Sequence, residues 1–491
     1  MSRSNDDVDV IVVGGGNAGH SAAHAAARRR RRVLLLERGV EDSAGGNSYY
    51  TAGAFRFAHG GLGDLEHLIE PDDRNAFAEV PAYTREMFFT DMDKVTSGRN
   101  NPGLTAVLVD DSREALSWLH EVGIRFRLMY ERQAYQNNDG SFTFWGGIHV
   151  GSVDGGRGLM EQHARTSKEE GVAVRYGATA YSLVTEDDIV VGVRFADQDG
   201  SDREIRAESV ILAAGGFEAD AEKRRRYLGE EWVNAKVRGT PLNTGKMLDA
   251  ALGIGAAPHG DWTSCHSVAW DAGYPDNESN REFTNQLTRS GYPLGIIVNT
   301  AGQRFVDEGE DFRNFTYAKF GAEILRQPGG IAFHIFDSVT RPMLRSEEYD
   351  MPGATEYVAD TIEDLAGHMS VDPNALAQTV AAFNAGIDIS TSFNPSVKDH
   401  RASRVRPLKS NWAVAIDQPP FHAFPVTCGI TFTFGGLAAD SHGRVLDHDR
   451  NPIAGLYACG EMLGGLFIGN YPSGTGLTSG TVFGRRCGNL A

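Results

Sequence analysis

The stretch Asp9-Val10-Ile11-Val12-Val13-Gly14-Gly15-Gly16-Asn17-Ala18-Gly19 decides the fold, because an apolar run leads into a G-x-G-x-x-G turn. Gly14 permits the tight turn, Gly16 lets the backbone approach a pyrophosphate, and Gly19 allows helix and strand to pack closely. Val33-Leu34-Leu35-Leu36-Glu37 reads as a second strand that ends in an acid suited to a ribose hydroxyl. Strand, turn, Ala-rich helix, strand and acid in this order predict a dinucleotide-binding βαβ unit with phosphates at the helix N-terminus.

Composition limits the classes of protein to which the chain can belong. With 491 residues, 41% of them hydrophobic and 23% charged, the chain is long enough for more than one globular domain. A net charge of −18 argues against a nucleic-acid partner, which requires a basic face. We therefore expect small molecules and proteins, rather than nucleic acid, as partners.

Four widely spaced cysteines, Cys265, Cys428, Cys459 and Cys487, form no metal-cluster or haem pattern, so we expect reduced thiols and no metal site. No apolar run approaches the roughly 20 residues that span a bilayer, and the polar start Met1 to Asp7 lacks the apolar core of a signal peptide. These features favour a cytoplasmic location.

Further nucleotide-type segments lie far from the first one. Ser209 to Phe217 is an apolar strand that runs into paired glycines, and Gly455 to Glu461 repeats this pattern near the other end of the chain. A site built from both ends implies that the middle of the chain is an insertion. We expect an α/β fold in which a Rossmann-like domain is assembled from N- and C-terminal segments around an inserted α+β capping domain. The expected boundaries are 1–237 for the N-terminal part, 238–356 for the capping domain, 357–410 for a helical connector, and 411–491 for the C-terminal part.

Within these segments the pattern predicts individual elements. Short strands are expected at Leu294 to Asn299 and at Ile331 to Phe336, and helical spacing around Asp372-Pro373 predicts a pair of helices between Thr361 and Ala385.

Three motifs carry a resemblance to a known family. They are Gly45 to Arg56, Arg304 to Asn314, and Asn470 to Leu477. Together with the nucleotide segments, they resemble the FAD-containing flavoproteins of the fumarate reductase and succinate dehydrogenase superfamily, and within it the tricarballylate dehydrogenase group. The resemblance covers nearly the whole chain.

The resemblance implies FAD as the cofactor and a set of residues that hold it. Ser48 stands where succinate-oxidising relatives attach FAD to a histidine, so non-covalent FAD is expected. Lys246 departs from the family's Asn-Thr-Gly-Asp and leaves that one contact open. The expected FAD contacts are Gly14, Gly16, Asn17, Ala18, Gly19, Glu37, Arg38, Gly46, Asn47, Ser48, Thr51, Ala52, Gly53, Ala214, Gly215, Asn243, Gly460, Glu461, Gly476, Leu477 and Thr478.

The reaction implied by the resemblance is desaturation of a CH–CH bond beside a carboxylate. It requires hydride transfer to flavin N5 and removal of a proton from the neighbouring carbon. A polycarboxylate that enters an acidic protein needs a local cluster of cations. The candidates are Arg56, His59, His266, Arg289 and Arg313.

Arg313 matches the arginine that shuttles the proton in the superfamily; the alternative is a surface pair with Glu310 or Asp311. An arginine is a poor base because its pKa exceeds about 12. It therefore needs a relay carboxylate, but the family's Glu-x-x-Arg reads Gln286-Leu287-Thr288-Arg289 here. Glu308, Glu310 and Asp311 remain as possible replacements.

Two departures from the family bear on the substrate. His266 falls where relatives place a carboxylate-binding histidine, but Phe432 and Tyr471 replace a second histidine and an arginine. An aromatic wall at these positions predicts that succinate and fumarate are poor substrates. Arg56, in the Ala54-Phe55-Arg56 segment, could supply a carboxylate clamp from another side.

Four functions are compatible with these residues. The leading hypothesis is conversion of tricarballylate, or a similar branched polycarboxylate, to its α,β-unsaturated acid, with electrons passed to a separate, possibly membrane-bound, electron-transfer protein. The alternatives are a ketosteroid-type 1,2-dehydrogenase or a fumarate reductase-type enzyme that runs in the reducing direction. A flavoprotein that serves mainly in electron transfer is the fourth.

Overall fold

Residues 8–275 and 280–491 are described by a computed structural model of the protein. Its α-helices are α1 (Asn17–Arg28), α2 (Gly46–Tyr49), α3 (Leu62–Leu65), α4 (Arg85–Thr96), α5 (Pro102–Val122), α6 (Tyr130–Gln133), α7 (Gly155–Glu169), α8 (Ala221–Tyr227), α9 (Lys246–Gly253), α10 (Arg313–Leu325), α11 (Ser346–Tyr349), α12 (Ile362–Met369), α13 (Pro373–Ala385) and α14 (Thr475–Leu490). Its β-strands are β1 (Val10–Val13), β2 (Val33–Leu36), β3 (Ala54–Phe55), β4 (Ala78–Glu79), β5 (Phe126–Leu128), β6 (Ala134–Gln136), β7 (Phe142–Phe144), β8 (Val150–Ser152), β9 (Ala173–Arg175), β10 (Thr179–Glu186), β11 (Ile189–Ala196), β12 (Asp202–Arg206), β13 (Ser209–Leu212), β14 (Lys236–Val237), β15 (Pro258–Asp271), β16 (Ile296–Asn299), β17 (Ala332–Phe336), β18 (Tyr357–Ala359), β19 (Phe421–Leu437), β20 (Arg444–Leu446) and β21 (Pro452–Ala458).

The first sheet joins both ends of the chain. Its strand order is β20-β21-β13-β1-β2-β9, and β1 pairs in parallel with both β2 and β13, so that Val10 lies opposite Val33 on one side and Ser209 on the other. All four residues of β1 are buried, as expected for a parallel strand covered on both faces. The mixed α/β fold and its nucleotide-binding strands are therefore those predicted from the sequence.

Helix α1 starts directly after the glycine turn. Its N-cap residue, Gly16, has no side chain, and the side-chain amide of Asn17 donates to Leu477 O and Thr481 Oγ1 on α14 at 2.9 and 3.1 Å. These bonds hold the first and last helices together under the turn. The cofactor end of the fold is thus closed by residues that lie 460 positions apart in sequence, as Asn17 and Leu477 do.

A second sheet forms the core of the capping region. Its order is β14-β19-β17-β16, with β15 and β18 also paired to β19. Strand β19 comes from residues that the sequence assigns to the C-terminal part of the nucleotide-binding domain, yet it pairs antiparallel with β15 over Pro258 to Asp271. The capping sheet therefore extends across the boundary expected at 410/411.

Two helices lie where the spacing predicts them. Thr361 caps α12 by accepting from the Asp364 amide, and Asp372 caps α13 by accepting from the Asn374 and Ala375 amides. Pro373 occupies the first turn of α13, where its missing N–H costs nothing.

No helix in the described part of the chain is both long and apolar enough to cross a bilayer. All four cysteines are buried free thiols. The polar start used in the targeting argument, residues 1–7, lies outside the described residues.

Candidate cofactor and substrate site

One cavity of about 2020 Å³, counted with its open mouth, is lined by the glycine turn, by the strand ends near Ala213 and Gly460, and by the start of α14. The same cavity is also lined by residues of the capping region, including His266 and Arg313. The predicted cofactor and substrate sites are therefore two ends of a single space.

The glycine turn fits the close approach of a phosphate. Gly14 has φ of +106°, and a Cβ on it would lie 2.3 Å from Ala213 O. A Cβ on Gly19 would lie 1.9 Å from Gly14 O, so this glycine keeps α1 against the turn. A Cβ on Gly16 would come closest to Ser48 Oγ, at 3.4 Å, so its other side is free for a ligand in the cavity.

Glu37 is fixed at the end of β2 by backbone donors. Its two carboxylate oxygens accept from the amides of Gly15 and Gly39, each at 2.7 Å. Burial raises the pKa of Glu37, against the lowering effect of these two bonds. The side chain is thus held in one orientation at the cavity wall.

Two buried carboxyl groups lie beside the middle of the cavity. Glu218 Oε1 accepts from the side-chain amides of Asn47 and Asn243, both at 2.7 Å, while its second oxygen is buried without a hydrogen-bond partner. Glu461 accepts from the Thr433 amide at 2.7 Å, and burial together with the Glu218 carboxylate raises the pKa of Glu461 well above its usual value. A protonated Glu461 carboxyl would donate to the Glu218 carboxylate beside it, whose second oxygen has no other partner.

These residues fit FAD. Hydrogen-bonding groups and open glycines line the cavity from the turn to α14, and His266 is the one histidine on the described cavity wall, with no cysteine beside it. The expected contacts that line the cavity are Gly14, Gly16, Asn17, Ala18, Glu37, Arg38, Gly46, Asn47, Ser48, Thr51, Ala52, Ala214, Gly215, Asn243, Gly460, Glu461, Gly476 and Leu477. Gly19, Gly53 and Thr478 lie outside the lining, and Lys246 lies within it.

The capping end of the cavity carries four guanidinium groups: Arg132, Arg238, Arg313 and Arg345. Arg313 begins α10, stacks over the Trp145 ring at 4.7 Å, and donates to Arg132 O. Among the described residues Arg313 pairs with no carboxylate. The two acids expected as its surface partners pair with lysines instead: Glu310 with Lys319, and Asp311 with Lys94 and Lys398. The surface-pair alternative for Arg313 is therefore not what the structure shows.

Arg238 is buried and forms no ion pair among the described residues, although the Glu348 carboxylate is near enough to act on its charge. Its Nε donates to Thr288 Oγ1 at 3.1 Å and its Nη1 to Thr431 Oγ1 at 2.8 Å. Burial lowers the pKa of Arg238. A buried guanidinium with only neutral partners is costly unless an anion is bound beside it.

Glu348 is the carboxylate at this end of the cavity. Its side chain is fully buried, and it pairs with Arg132 and Arg345 at 2.9 Å each. Ser290 Oγ also donates to it at 2.5 Å. Burial would raise the pKa of Glu348, but the two guanidinium groups outweigh it and lower that pKa. Glu347, about one third exposed, also pairs with Arg132 and extends this series of ion pairs toward solvent.

His266 stands in an aromatic box. Its ring lies 5.1 Å from Phe432 and from Tyr471, and 4.8 Å from Tyr317. Burial, and then the charge of Arg238, lower the pKa of His266 well below its usual range, so it is a neutral group. His266 Nδ1 is buried without a partner.

Three of the expected substrate cations are placed elsewhere. Arg56 is fully buried and pairs with Asp91 at 2.9 Å. Its guanidinium group also donates to the Tyr83 hydroxyl group and to the carbonyls of Ser473 and Gly146. Arg289 pairs with Asp271 at 2.6 Å, with both side chains fully buried. Neither lines the cavity, nor does His59, which contacts His149 at 3.1 Å.

The expected relay carboxylates are also engaged away from the cavity. Glu308 forms a buried pair with Arg304, whereas Glu310 and Asp311 hold the lysines already named. Sequence reasoning missed Arg132, Arg238, Arg345 and Glu348. The one local signal for them in the sequence was the i,i+3 spacing of Arg345 and Glu348 at α11. The same spacing is common in surface ion pairs, so it does not indicate a buried site.

Comparison with known proteins agrees with this geometry. The family profile described as FAD binding domain matches residues 9–477. NADH:fumarate oxidoreductase of Klebsiella pneumoniae (strain 342) is 26% identical over 419 residues, which are 83% of this chain and 41% of that protein. The probable fumarate reductase Ifc3 of Shewanella frigidimarina (strain NCIMB 400) is 28% identical over 452 residues, 91% of this chain and 69% of that protein.

The fold also matches a solved structure along its whole length. The 3-ketosteroid Δ1-dehydrogenase of Sterolibacterium denitrificans superposes with a TM-score of 0.75 at 21% identity, covering 99% of each chain. This likeness shows the fold alone, while the chain spans less than half the length of the Klebsiella relative.

Proposed function

Since the chain belongs to the FAD binding domain family, we propose that it is a flavin-dependent oxidoreductase that interconverts a CH–CH bond and a C=C bond in a small polycarboxylate. FAD, when bound, supplies the two-electron chemistry. Tricarballylate and its unsaturated product are the leading substrate pair. FAD is held without a covalent bond.

Arg238 is the observation that carries this proposal. It is buried in the wall of the cavity with two hydroxyl partners and forms no direct ion pair with a described carboxylate. A carboxylate of the substrate would neutralise it and restore the interaction energy that burial removes.

A second anion-binding region lies at Arg132, Arg313 and Arg345. Arg132 pairs with Glu347 and Glu348, and Arg345 pairs with Glu348, whereas Arg313 pairs with neither acid. Two separate cationic regions in one cavity suit a substrate with at least two carboxylates. A third carboxylate, as in tricarballylate, can be shared between the guanidinium groups of this second region.

Arg313 is the proton-transfer group of the proposal. In the reducing direction its cationic form gives a proton to the substrate carbon, and the strongly basic neutral guanidine then regains one from solvent. Glu348 and Glu347 offer the carboxylates on that route. Glu348, with its lowered pKa, is a strong acid whenever it is transiently protonated, so it passes a proton on readily.

The aromatic box would exclude water around the reacting carbons. His266 is neutral there, so it contributes a hydrogen bond rather than a charge. Phe432 and Tyr471 replace cationic contacts with apolar surface, which supports the expectation that succinate and fumarate are poor substrates.

A ring ketone is the second candidate substrate, because Tyr317 and Tyr471 both line the cavity with their rings 6.5 Å apart. A tyrosine base would need a lowered pKa. Burial instead raises the pKa of both hydroxyl groups, which favours the polycarboxylate. In either case we propose a separate electron-transfer protein as the redox partner.

The test is the anaerobic flavin spectrum of the purified, FAD-loaded protein mixed in turn with tricarballylate, succinate and a 3-ketosteroid. Bleaching by tricarballylate, with little or none by succinate, is the expected result. Bleaching by the steroid alone would transfer the assignment to the second candidate. No response to any di- or tricarboxylate would overturn the polycarboxylate proposal.

Arg238→Gln tests directly whether Arg238 binds a substrate carboxylate. It removes the unpaired charge while retaining an amide, so the tricarballylate concentration for half-bleaching should rise about 100-fold. Arg226→Gln is the matched control, because Arg226 lies on α8 over the Tyr227 ring and does not line the cavity. Unchanged half-bleaching in Arg238→Gln would remove Arg238 from substrate binding.

A further inference from the structure

A second cavity, of about 870 Å³ with its mouth, adjoins the first. Both cavities are lined by the same four residues: Arg132, Ser290, Arg313 and Arg345. The guanidinium groups proposed to bind carboxylate therefore form the boundary between the two spaces. A ligand held by these groups has one side toward each cavity.

The walls of the second cavity are mainly aromatic and aliphatic. Beyond the shared boundary the largest apolar side chains are Tyr135, Trp145, Phe312, Leu344, Tyr349 and Trp412, and Glu131 is the one acidic residue described there. Trp145 stacks on Phe312 with ring centroids 5.2 Å apart, and Phe312 contacts Trp412 at 5.4 Å. This continuous aromatic surface starts where Arg313 stacks on Trp145.

Trp412 is fixed in place rather than loosely packed. Its indole N–H donates to Asn394 O and Val397 O at 3.1 and 2.8 Å, and its backbone N–H donates to Asp399 at 2.9 Å. Its φ of +57° is unusual for a residue with a side chain. Trp412 is 2% exposed, and three hydrogen bonds hold it at the cavity wall against the cost of this backbone conformation.

We propose that the second cavity is a substrate subsite for an apolar ring, so that the preferred substrate is a polycarboxylate with an aryl or similar cyclic substituent. The inference rests on the proposed function and names the substrate class more closely. Carboxylates meet the shared guanidinium groups, and the substituent extends from them onto the aromatic wall. Tricarballylate has no apolar group and would leave this wall to water.

Two features select this occupant. Cations at the boundary and a mainly aromatic wall behind them complement a molecule that is anionic at one end and apolar at the other. Glu131, the one carboxylate in the described part of that wall, is already paired with Arg74 and Arg127. Planar guanidinium groups also stack on aromatic rings, as Arg313 does on Trp145, so a substrate ring can pass beside them without losing contact.

The experiment compares benzylsuccinate with methylsuccinate on the FAD-loaded protein under anaerobic conditions, with tricarballylate as reference. The concentration that gives half of the flavin spectral change measures affinity, whether the compound bleaches the flavin or only shifts its band. Burial of the phenyl group should make benzylsuccinate bind about tenfold tighter than methylsuccinate, or more.

Leu344→Trp tests the location. Leu344 is 7% exposed and lines the second cavity but not the first, so an indole there should fill the subsite and remove the benzyl preference. Leu408→Trp is the matched control, since Leu408 is 47% exposed and lines neither cavity. If Leu344→Trp does not load FAD, Leu344→Ala should still reduce the preference about threefold by removing contacts.

The outcomes separate the two proposals. Equal affinity for benzylsuccinate and methylsuccinate, with tricarballylate still active, would overturn the subsite and leave the polycarboxylate function standing. A benzyl preference that survives in Leu344→Trp would equally overturn it. Failure of all three acids to affect the flavin would overturn the polycarboxylate function and the subsite together.

Discussion

Arg313 differs from most arginines of this protein in having no carboxylate partner within the described structure. Its guanidinium group is held by Arg132 O and the Trp145 ring, so it is positioned without being neutralised. Such a group can approach a substrate carbon without first breaking an ion pair. The unpaired state, rather than burial alone, suits it to proton transfer.

Replacing Arg313 with Gln should therefore leave FAD bound and lower tricarballylate-dependent turnover by at least about 100-fold. The measurements are flavin content after gel filtration and the anaerobic bleaching rate. Arg326→Gln, at the other end of α10, where Arg326 pairs with Glu323 on the surface, should behave like the unaltered protein. A variant of Arg313 that keeps more than about a tenth of the rate would exclude it as the proton-transfer group.

The arginines also show which part of the site the sequence could predict. Arg313 and His266 lie on motifs, and both line the cavity. Arg56 and Arg289 were equally plausible as substrate cations, but each finds an internal acid, Asp91 or Asp271, through the tertiary fold. Which guanidinium stays unpaired depends on contacts between distant segments, and a single sequence does not contain that information.

At the scale of elements, α1 and α14 approach so closely that only glycine fits between them. A Cβ on Gly484 would lie 2.4 Å from Ala18 O, and one on Gly488 would lie 2.1 Å from Ala22 O. These contacts place the start of α14 beside the glycine turn. The cofactor end of the cavity therefore depends on a helix spacing set by missing side chains.

Gly484→Ala should force the two helices apart, lower stability by about 1–3 kcal/mol and reduce FAD content. Thermal melts and the ratio of flavin to protein absorbance measure both effects. The matched control is Gly367→Ala in α12, where an added Cβ meets nothing within 4 Å. There the same change should stabilise the protein by about 0.5–1 kcal/mol, since alanine loses less entropy in a helix. Equal melting temperatures for the two variants would contradict this account of helix spacing.

Helices α1 and α7 enclose a histidine cluster that the sequence analysis did not single out. His20 and His24 on α1 lie beside His163 on α7, and all three are buried. The His24 ring contacts His163 at 3.2 Å and Glu170 at 2.7 Å. Glu170 also pairs with Arg28. The His20 ring forms a hydrogen bond with the Ser167 hydroxyl group. Burial, and then the charge of His24, lower the pKa of His20 to about 3.

This cluster should make the fold sensitive to acid. The folded protein keeps His20 neutral, whereas the unfolded chain binds a proton near pH 6.5. The stability is therefore fully present above about pH 6.5 and is lost as pH falls toward 3, by up to about 1.4 kcal/mol per pH unit. His20→Gln should lose less stability than the unaltered protein between pH 7 and 5 in urea titrations. The control is His67→Gln, at an exposed position, which should leave the pH dependence of stability unchanged. If His20→Gln shows the same pH dependence of stability as the unaltered protein, His20 does not cause the acid sensitivity.

Elements of regular local pattern were predictable, whereas the sheet that β19 joins was not. The strands of the nucleotide-binding sheet and the helices α12 and α13 follow from apolar runs, caps and spacing. Strand β19 is apolar and long, but its partners β15 and β17 lie far away in sequence. Its assignment to one sheet or the other depends on that pairing, for which the sequence holds no local signal.

For the whole molecule, one cavity connects the nucleotide-binding sheet with the capping sheet. Its lining begins at Val13 on β1 and extends to Gly480 on α14, and it includes Thr431 and Phe432 of β19. FAD bound there would contact segments from both ends of the chain. The cofactor therefore acts as a structural link as well as a redox group.

A link of this kind predicts that FAD release and unfolding coincide. If, as proposed, both chain ends hold the cofactor without a covalent bond, neither end can unfold and still retain it. Flavin fluorescence, which rises on release, and far-UV circular dichroism should therefore give the same melting temperature. That temperature should rise with added FAD, since a concentration of 100 times Kd stabilises a folded state by about 2.7 kcal/mol. Flavin release several degrees below the loss of helical signal would instead mean that the cofactor is held by one part of the chain that opens independently. FAD that stays on the denatured chain would show a covalent bond and contradict the assignment at Ser48.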